Sequence, residues 1–522
     1  MKPLPIGSQT FEHIIQGNGV YVDKTQYIYA LANAGSDSNG VGPKFFLSRP
    51  RRFGKSLTIS TLDALFSGRR ELFEGLWITQ NTDYAFETFP VLRFDLSNIG
   101  KEDGHKLAQS LCFRMHDIAK IYGVKIDQAR GVGQQFEQLI RGVAAQTRSR
   151  VVVLVDEYDA PIIRHITDVK KAADNREVLR EFYTTLKAED AHMRFVLLTG
   201  VSKFSKVSVF SGLNNLQDLT MDARYATFLG YTQEELEFYF KDHIQALAKA
   251  EQLNLAETLE KIKHWYNGYR FSKTNEKVYN PFSTLLLFEQ KDFKAHWFET
   301  GTPTFLVELL KQKTFAISEV EALTLTEPDF STYEIENLNP LALLVQTGYL
   351  TIQNYDKTRG TYQLGYPNYE VENNLLVSLV KGFSESHEVT EGSLWTLIDA
   401  LGASDLDLFF DTLKTFFAQI PYTIQLKNER YYQTIFYLIF TLIGLRIHAE
   451  VTTNKGRIDA LVEIEKEIYL FEFKLQGTAE EALAQIQEKG YAQKYQSQAK
   501  PLHILGVSFD PVERNIDRWV VG

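Results

Sequence analysis

The run VVVLVDEYDAP at residues 151–161 constrains the fold most, because five consecutive apolar residues ending in two acids leave no polar face for solvent. A strand of this kind must be covered on both faces. A parallel sheet flanked by helices does that and sets the carboxyl end of the strand at the ligand edge. Asp156 and Glu157 are therefore predicted at that edge, where the first suits holding a magnesium ion through water and the second suits activating an attacking water. Upstream, KFFLSRPRRFGKSLTISTLDALF at residues 44–66 passes from an apolar strand through a turn at Gly54 into a helix carrying Leu57, Ile59, Leu62 and Leu65 at helical spacing. Strand, turn and helix in that order make a phosphate site. Helix-start N–H groups face the phosphates, Lys55 brings a charge to the β and γ groups, and Ser56 can ligate magnesium. The loop departs from G-x-x-x-x-G-K-[ST], since Arg49 and then Pro50 stand where the first glycine is expected. Arginine resists positive φ, so the chain is expected to enter the loop by another backbone path. A third strand, RFVLLTGVSKFSK, ends in Thr199, Ser202 and Lys203. Thr199 is the candidate γ-phosphate sensor, with a plain strand-end turn as the alternative, and Asp159 reads as a turn or helix cap.

A second constellation lies near the C-terminus. In GRIDALVEIEKEIYLFEFK, residues 456–474, Asp459 opens one apolar strand and Glu472 and Lys474 sit on the next, with a polar turn between them. The two-residue period of a strand puts Glu472 and Lys474 on one face and Tyr469, Phe471 and Phe473 on the other. Two carboxylates and a lysine can so converge on one divalent ion, magnesium or manganese, with the lysine orienting or helping to deprotonate the attacking water. The following stretch, TAEEALAQIQEKGYAQKY, has helical period and sets Gln487 and Tyr491 one turn apart on one face.

Composition limits the alternatives. A chain of 522 residues exceeds one ordinary core, and 44% hydrophobic with 23% charged residues is globular. The single cysteine, Cys112, excludes a disulfide scaffold or a cysteine metal cluster and points to a reducing, cytoplasmic setting. The first residues lack a signal-peptide layout, and the longest apolar run, residues 435–445, is too short to cross a bilayer, so no membrane partner is expected. A net charge of -10 argues against non-specific coating of nucleic acid, so any such contact must come from a local basic patch.

Four runs, YVDKT at 21–25, RPRRFGKSL at 49–57, DEYDAPI at 156–162 and YNGYRFS at 266–272, resemble an AAA-ATPase-like domain. The C-terminal stretch resembles the PD-(D/E)xK nuclease superfamily, in the branch joined to such an ATPase. For the first domain the resemblance implies ATP as ligand and Lys55, Ser56, Asp156 and Glu157 as the working residues; beside them Gly54 and Leu57 belong to the loop read above, Thr199 stays the sensor candidate, and Arg51 and Arg52, in the loop itself, can contact phosphate. Arg270 is left either structural or sensing. For the second it implies Asp459, Glu472 and Lys474 as the catalytic set, with Gln485 or Gln487 and Tyr491 as helix partners. It also implies a further acid, for which Glu450 is the candidate and Glu429 the rival.

Between these regions, Thr232 and Glu235 make a capping box that opens a helical stretch. Within residues 320–375, the run LLVQTGYLTIQNYDKTRGTYQLGYPN at 343–368 reads as helix, strand, polar turn and strand, the pattern of a winged-helix module whose tip, Lys357 and Arg359, either touches a DNA backbone or is only a spacer. The expected organisation is α/β and multidomain. A P-loop ATPase-like domain spans 1–229, a helical lid 230–319, a winged-helix-like module 320–375 and a restriction-endonuclease-like domain 376–522. The expected activity is ATP-controlled, metal-dependent hydrolysis of nucleic acid, with DNA favoured and a homo-oligomer allowed. The rivals are an ATPase with an inactive nuclease-like binding module, or a protein remodeller or switch.

Overall fold

The computed structural model describes residues 1–34, 42–99, 103–203, 215–297, 324–330, 333–334, 337–384, 391–418, 438–439, 446–447, 452–453, 456–457, 460–463, 467–474, 477–495, 500–510, 512–513 and 515–522. The chain divides into two compact units, one within Met1–Thr300 and Thr324–Val371, the other within Gly301–Leu323 and Glu372–Gly522.

The first unit is built on a parallel sheet of β1 (Lys44–Ser48), β2 (Val91–Asp95), β3 (Val151–Asp156), β4 (Met193–Gly200) and β5 (Gln217–Asp218), in the order β2-β3-β4-β1-β5. Every residue of β1 and β3 is buried, as a strand covered on both faces requires. Helix α1 (Lys55–Phe66) covers one face through Phe66, whose ring lies 5.0 Å from that of Phe195 on β4. The other face is covered by α2 (Gly104–Ile121), α3 (Val132–Thr147) and α4 (Val169–Ala188). There Phe94 of β2 meets Phe136 and Phe182 edge-on at 5.3 and 5.2 Å, while those two rings stack at 4.2 Å. The strand order sets β4 between β3 and β1, so the acids after β3 and the lysine loop after β1 flank the end of β4.

Downstream, α5 (Gln233–Tyr239), α6 (Lys241–Glu251), α7 (Leu255–Tyr266) and α8 (Pro281–Gln290) share a core of Leu236, Phe240, Ile244, Leu247, Ile262, Tyr266, Leu287 and Phe288. The capping box at Thr232 and Glu235 starts α5, and a second, at Asn254 and Glu257, starts α7. The YVDKT run ties this bundle down. Asp23 accepts hydrogen bonds from Thr25 and from the Trp77 amide at 2.6 Å, while Lys24 reaches the Thr227 carbonyl and the Glu235 carboxylate. The helix-strand-turn-strand pattern forms as α9 (Pro340–Thr347), β7 (Thr351–Asp356) and β8 (Thr361–Gly365). A further strand, β6 (Thr324–Thr326), pairs with β8; its three residues carry too little alternation to be read from sequence.

The second unit holds a mixed sheet in chain order: β9 (Arg446–Ile447), β10 (Ala460–Glu463), β11 (Ile468–Lys474), β12 (Leu502–Asp510) and β13 (Asn515–Val521). Only β11 and β12 run parallel, and α12 (Ala479–Lys489) makes the crossover between them. Helices α10 (Glu391–Gly402) and α11 (Leu406–Ala418) cover the other face, with Phe410 stacked on Trp519 at 4.8 Å. Among the described residues no helix is long and apolar enough to cross a membrane.

Candidate nucleotide and phosphodiester sites

The phosphate loop leaves β1 at Arg49, and the left-handed turn falls elsewhere than on this residue: Arg52 (φ 70°) and Gly54 (φ 93°) take it. Arg49 is an anchor. Its buried guanidinium donates to the carbonyls of Ser48, Thr220 and Tyr225 at 2.9, 2.8 and 3.0 Å and lies 4.3 Å from the centre of the Phe271 ring. Burial pulls its pKa below the ordinary arginine value, with Asp218 opposing. Phe53 packs edge-on against Tyr269 and Phe271, and Trp297 donates to the Arg51 carbonyl at 3.2 Å. The loop is thus held from outside by the YNGYRFS segment. Arg270 in that segment is structural, its guanidinium donating to the carbonyls of Ser272, Lys273 and Gln353.

An Arg49→Gly substitution should therefore destabilise the first unit, by about 2–4 kcal/mol for three lost charge-assisted hydrogen bonds and the ring contact. Arg49→Lys should recover only part, because an ammonium cannot reproduce the planar fork. Urea unfolding followed in the first unit measures this, and equal midpoints for wild type and Arg49→Gly would refute the anchor.

Lys55 stands at the start of α1 with its ammonium buried, donating to the carbonyls of Arg49 and Pro50, both at 2.9 Å. Burial lowers its pKa, against the opposing charges of Glu157, Asp156 and Asp159, while Arg51 adds to the lowering. Asp156 is buried at the end of β3, where the Thr199 hydroxyl donates to its Oδ1 at 2.7 Å and fixes the carboxylate's rotation. Thr199 therefore acts on the acid directly. Glu157 is half-buried, in a left-handed conformation (φ 51°), and burial raises its pKa against the pull of Lys55. Arg51 and Arg52 are exposed, and Ser56 and Leu57 half-buried on the first turn of α1. Asp159, read above as a cap, makes no side-chain cap bond. It takes the amides of Val201 and Ser202 and the Ser202 hydroxyl, the last two at 2.6 Å. Sequence reasoning missed this because the partners lie more than forty residues on, and its one signal was a third acid in DEYD.

In the second unit the faces of β11 divide as the period requires. Tyr469 donates to the Leu401 carbonyl at 2.8 Å and Phe471 meets Phe409 and Phe410, while Glu472 and Lys474 turn toward α12. Gln485 joins the two. Its amide nitrogen donates to Glu472 Oε1 and its oxygen accepts from Lys474 Nζ at 2.6 Å. The capping box of Thr478 and Glu481 fixes the start of α12, and Ala479, Ala482 and Ile486 bury its inner face, which brings Gln485 to the strand. Glu472 is 2% exposed and Lys474 partly so. Gln487 points into solvent, so of the two glutamines Gln485 is the one the structure joins to the strand. Tyr491 begins the short turn Tyr491–Lys494, with its side chain outside the described residues. Asp459, Glu450 and Glu429 lie outside the described residues. The described ladder pairs Ala460 with Phe471, next to Glu472.

Among the described residues no three His, Cys, Asp or Glu side chains converge as a ready-made metal cage. The donors present are nonetheless of the right kind. Hydroxyl and carboxylate oxygens at Ser56 and Asp156, and a carboxylate at Glu472 held beside a lysine, suit a hard divalent cation.

Residues 5–210 match the family description "Predicted AAA-ATPase", and residues 427–519 match the PD-(D/E)XK nuclease superfamily. An uncharacterised protein encoded in the vnfD 5' region of Azotobacter chroococcum mcd 1 is 39% identical over 530 residues, covering 100% of this chain and 99% of that protein. Among solved structures, the ORC2 protein of Aeropyrum pernix aligns at 12% identity and a TM-score of 0.28, covering 69% of this chain and 92% of that one. Cdc6p of Pyrobaculum aerophilum aligns at 12% identity and a TM-score of 0.26, over 72% and 92%.

Proposed function

Because this chain belongs to the family that joins a predicted AAA-ATPase domain to a PD-(D/E)XK nuclease-superfamily domain, we propose that it hydrolyses nucleic-acid phosphodiesters under the control of ATP. The observation that carries the reading is the chain Lys474–Gln485–Glu472, in which one amide holds a buried carboxylate and an ammonium side by side. A strand-edge charge pair needs no such bridge. A positioned carboxylate and lysine do suit charge developing on a phosphate and its attacking water.

In the ATPase unit, Lys55 and the amides opening α1 would bind the β and γ phosphates. Glu157 would take the proton of the attacking water, and Thr199 would keep Asp156 oriented. A divalent ion, held by Ser56 and Asp156 in one site and by Glu472 with Asp459 in the other, would supply Lewis-acid polarisation of the phosphate. DNA is favoured over RNA, and a cytoplasmic setting and an oligomer are part of the same reading. A panel of labelled single-stranded DNA, duplex DNA and RNA, incubated with magnesium, manganese or EDTA and with or without ATP, tests it. Metal-dependent cleavage is expected. ATP turnover without cleavage of any substrate would favour an ATPase carrying a nuclease-like binding module instead.

A further inference from the structure

The turn after β3 is fastened to the end of β4 on both sides of Glu157. Before it, Asp156 takes the Thr199 hydroxyl; after it, the Tyr158 amide donates to the Thr199 carbonyl at 2.9 Å and the Tyr158 hydroxyl to the Ser202 carbonyl at 3.1 Å. Asp159, 1% exposed, then closes the turn through Val201 and Ser202. Gly200 permits this approach, because a Cβ there would stand 2.6 Å from the Asp159 carboxylate. Glu157 alone bends left-handed between these fastenings. Such a conformation in a residue with a Cβ persists only where its surroundings over-determine it, and such sites recur where a side chain must be aimed.

We propose that Asp159 is a positioning residue for ATP hydrolysis, which holds the left-handed bend at Glu157 and so aims the Glu157 carboxylate at the attacking water. This rests on the reading of Glu157 as the base. Asp159 is too deeply buried and too fully bonded to touch substrate, so its effect passes through Glu157. One residue further on, the Lys203 amide donates to Gln346 of α9 at 2.9 Å.

The test uses the full chain and four variants: Asp159→Ala, Asp159→Asn, Glu157→Gln and the double variant Glu157→Gln/Asp159→Ala. Steady-state hydrolysis and calorimetric ATP affinity are read for each. Asp159→Ala should lower kcat on the order of 10- to 100-fold, as small misplacements of a catalytic group do, with ATP affinity unchanged. Asp159→Asn keeps an acceptor for Ser202 and should fall between it and wild type. In the double variant, turnover should equal that of Glu157→Gln alone, because a residue acting through another adds nothing once that other is gone. Should Asp159→Ala not fold, Ser202→Ala, which removes one donor and leaves the backbone, takes its place. Wild-type turnover by Asp159→Ala, a parallel loss of ATP affinity, or additive losses in the double variant would overturn the proposal and leave Glu157 as the base. Wild-type turnover by Glu157→Gln would overturn both.

Discussion

Replacing Lys474 by alanine is expected to abolish phosphodiester cleavage while ATP turnover continues at the wild-type rate. The lysine is partly exposed, so its removal opens no apolar cavity and the loss should appear in rate rather than in folding. One electrostatic contributor of this kind is worth about 3–4 kcal/mol of barrier, on the order of a hundred- to a thousand-fold in rate. Glu472 behaves differently, because it is buried and bonded to Gln485. Its alanine variant would strand that amide at a cost of about 1–3 kcal/mol, so Glu472→Gln is the cleaner removal of charge. A single-turnover cleavage assay beside thermal unfolding separates the two effects. Undiminished cleavage by Lys474→Ala would remove this site from the chemistry.

Lys55→Ala is expected to abolish productive ATP binding. The ammonium is a buried cation at the start of α1, and its loss from a phosphate contact should cost roughly 3 kcal/mol, on the order of a hundredfold in Kd. Glu157→Gln should do the reverse, keeping affinity and losing turnover, since it keeps the size of the side chain and removes the base. Calorimetry with ATP and magnesium measures the first and steady-state hydrolysis the second. Equal affinity in wild type and Lys55→Ala would refute the phosphate-loop assignment.

The strand-turn-helix of the phosphate loop and the acid strand were legible because each is a local pattern with a strong physical cause: an apolar run that must be covered on both faces, ended by charged residues at the edge of the sheet. The faces of β11 were legible for the same reason, since a period of two leaves Glu472 and Lys474 one choice of side. Arg49 was legible only as a departure from the expected glycine. What it does depends on carbonyls at Thr220 and Tyr225 and on Phe271, which no local pattern announces. Of the two left-handed residues of the loop, Gly54 was marked by its glycine and Arg52 was not. Asp159 does stand in the turn that opens the short helix Ala160–Ile163, as an acid before an Ala-Pro pair suggests, but its side chain bonds to Val201 and Ser202 past the neighbouring strand and not to the helix start. Gln485 and Gln487 could not be separated by spacing alone; the cap at Thr478 sets the helix so that only the first reaches Glu472.

Control of the phosphodiester site by the ATPase unit is read in the cleavage rate of wild type, Lys55→Ala and Glu157→Gln on one labelled duplex, with magnesium present and ATP absent or saturating. ATP should change the wild-type rate, Lys55→Ala should remove this response, and Glu157→Gln should lock the chain in its ATP-bound rate. Cleavage equal in all three proteins and indifferent to ATP would contradict such control.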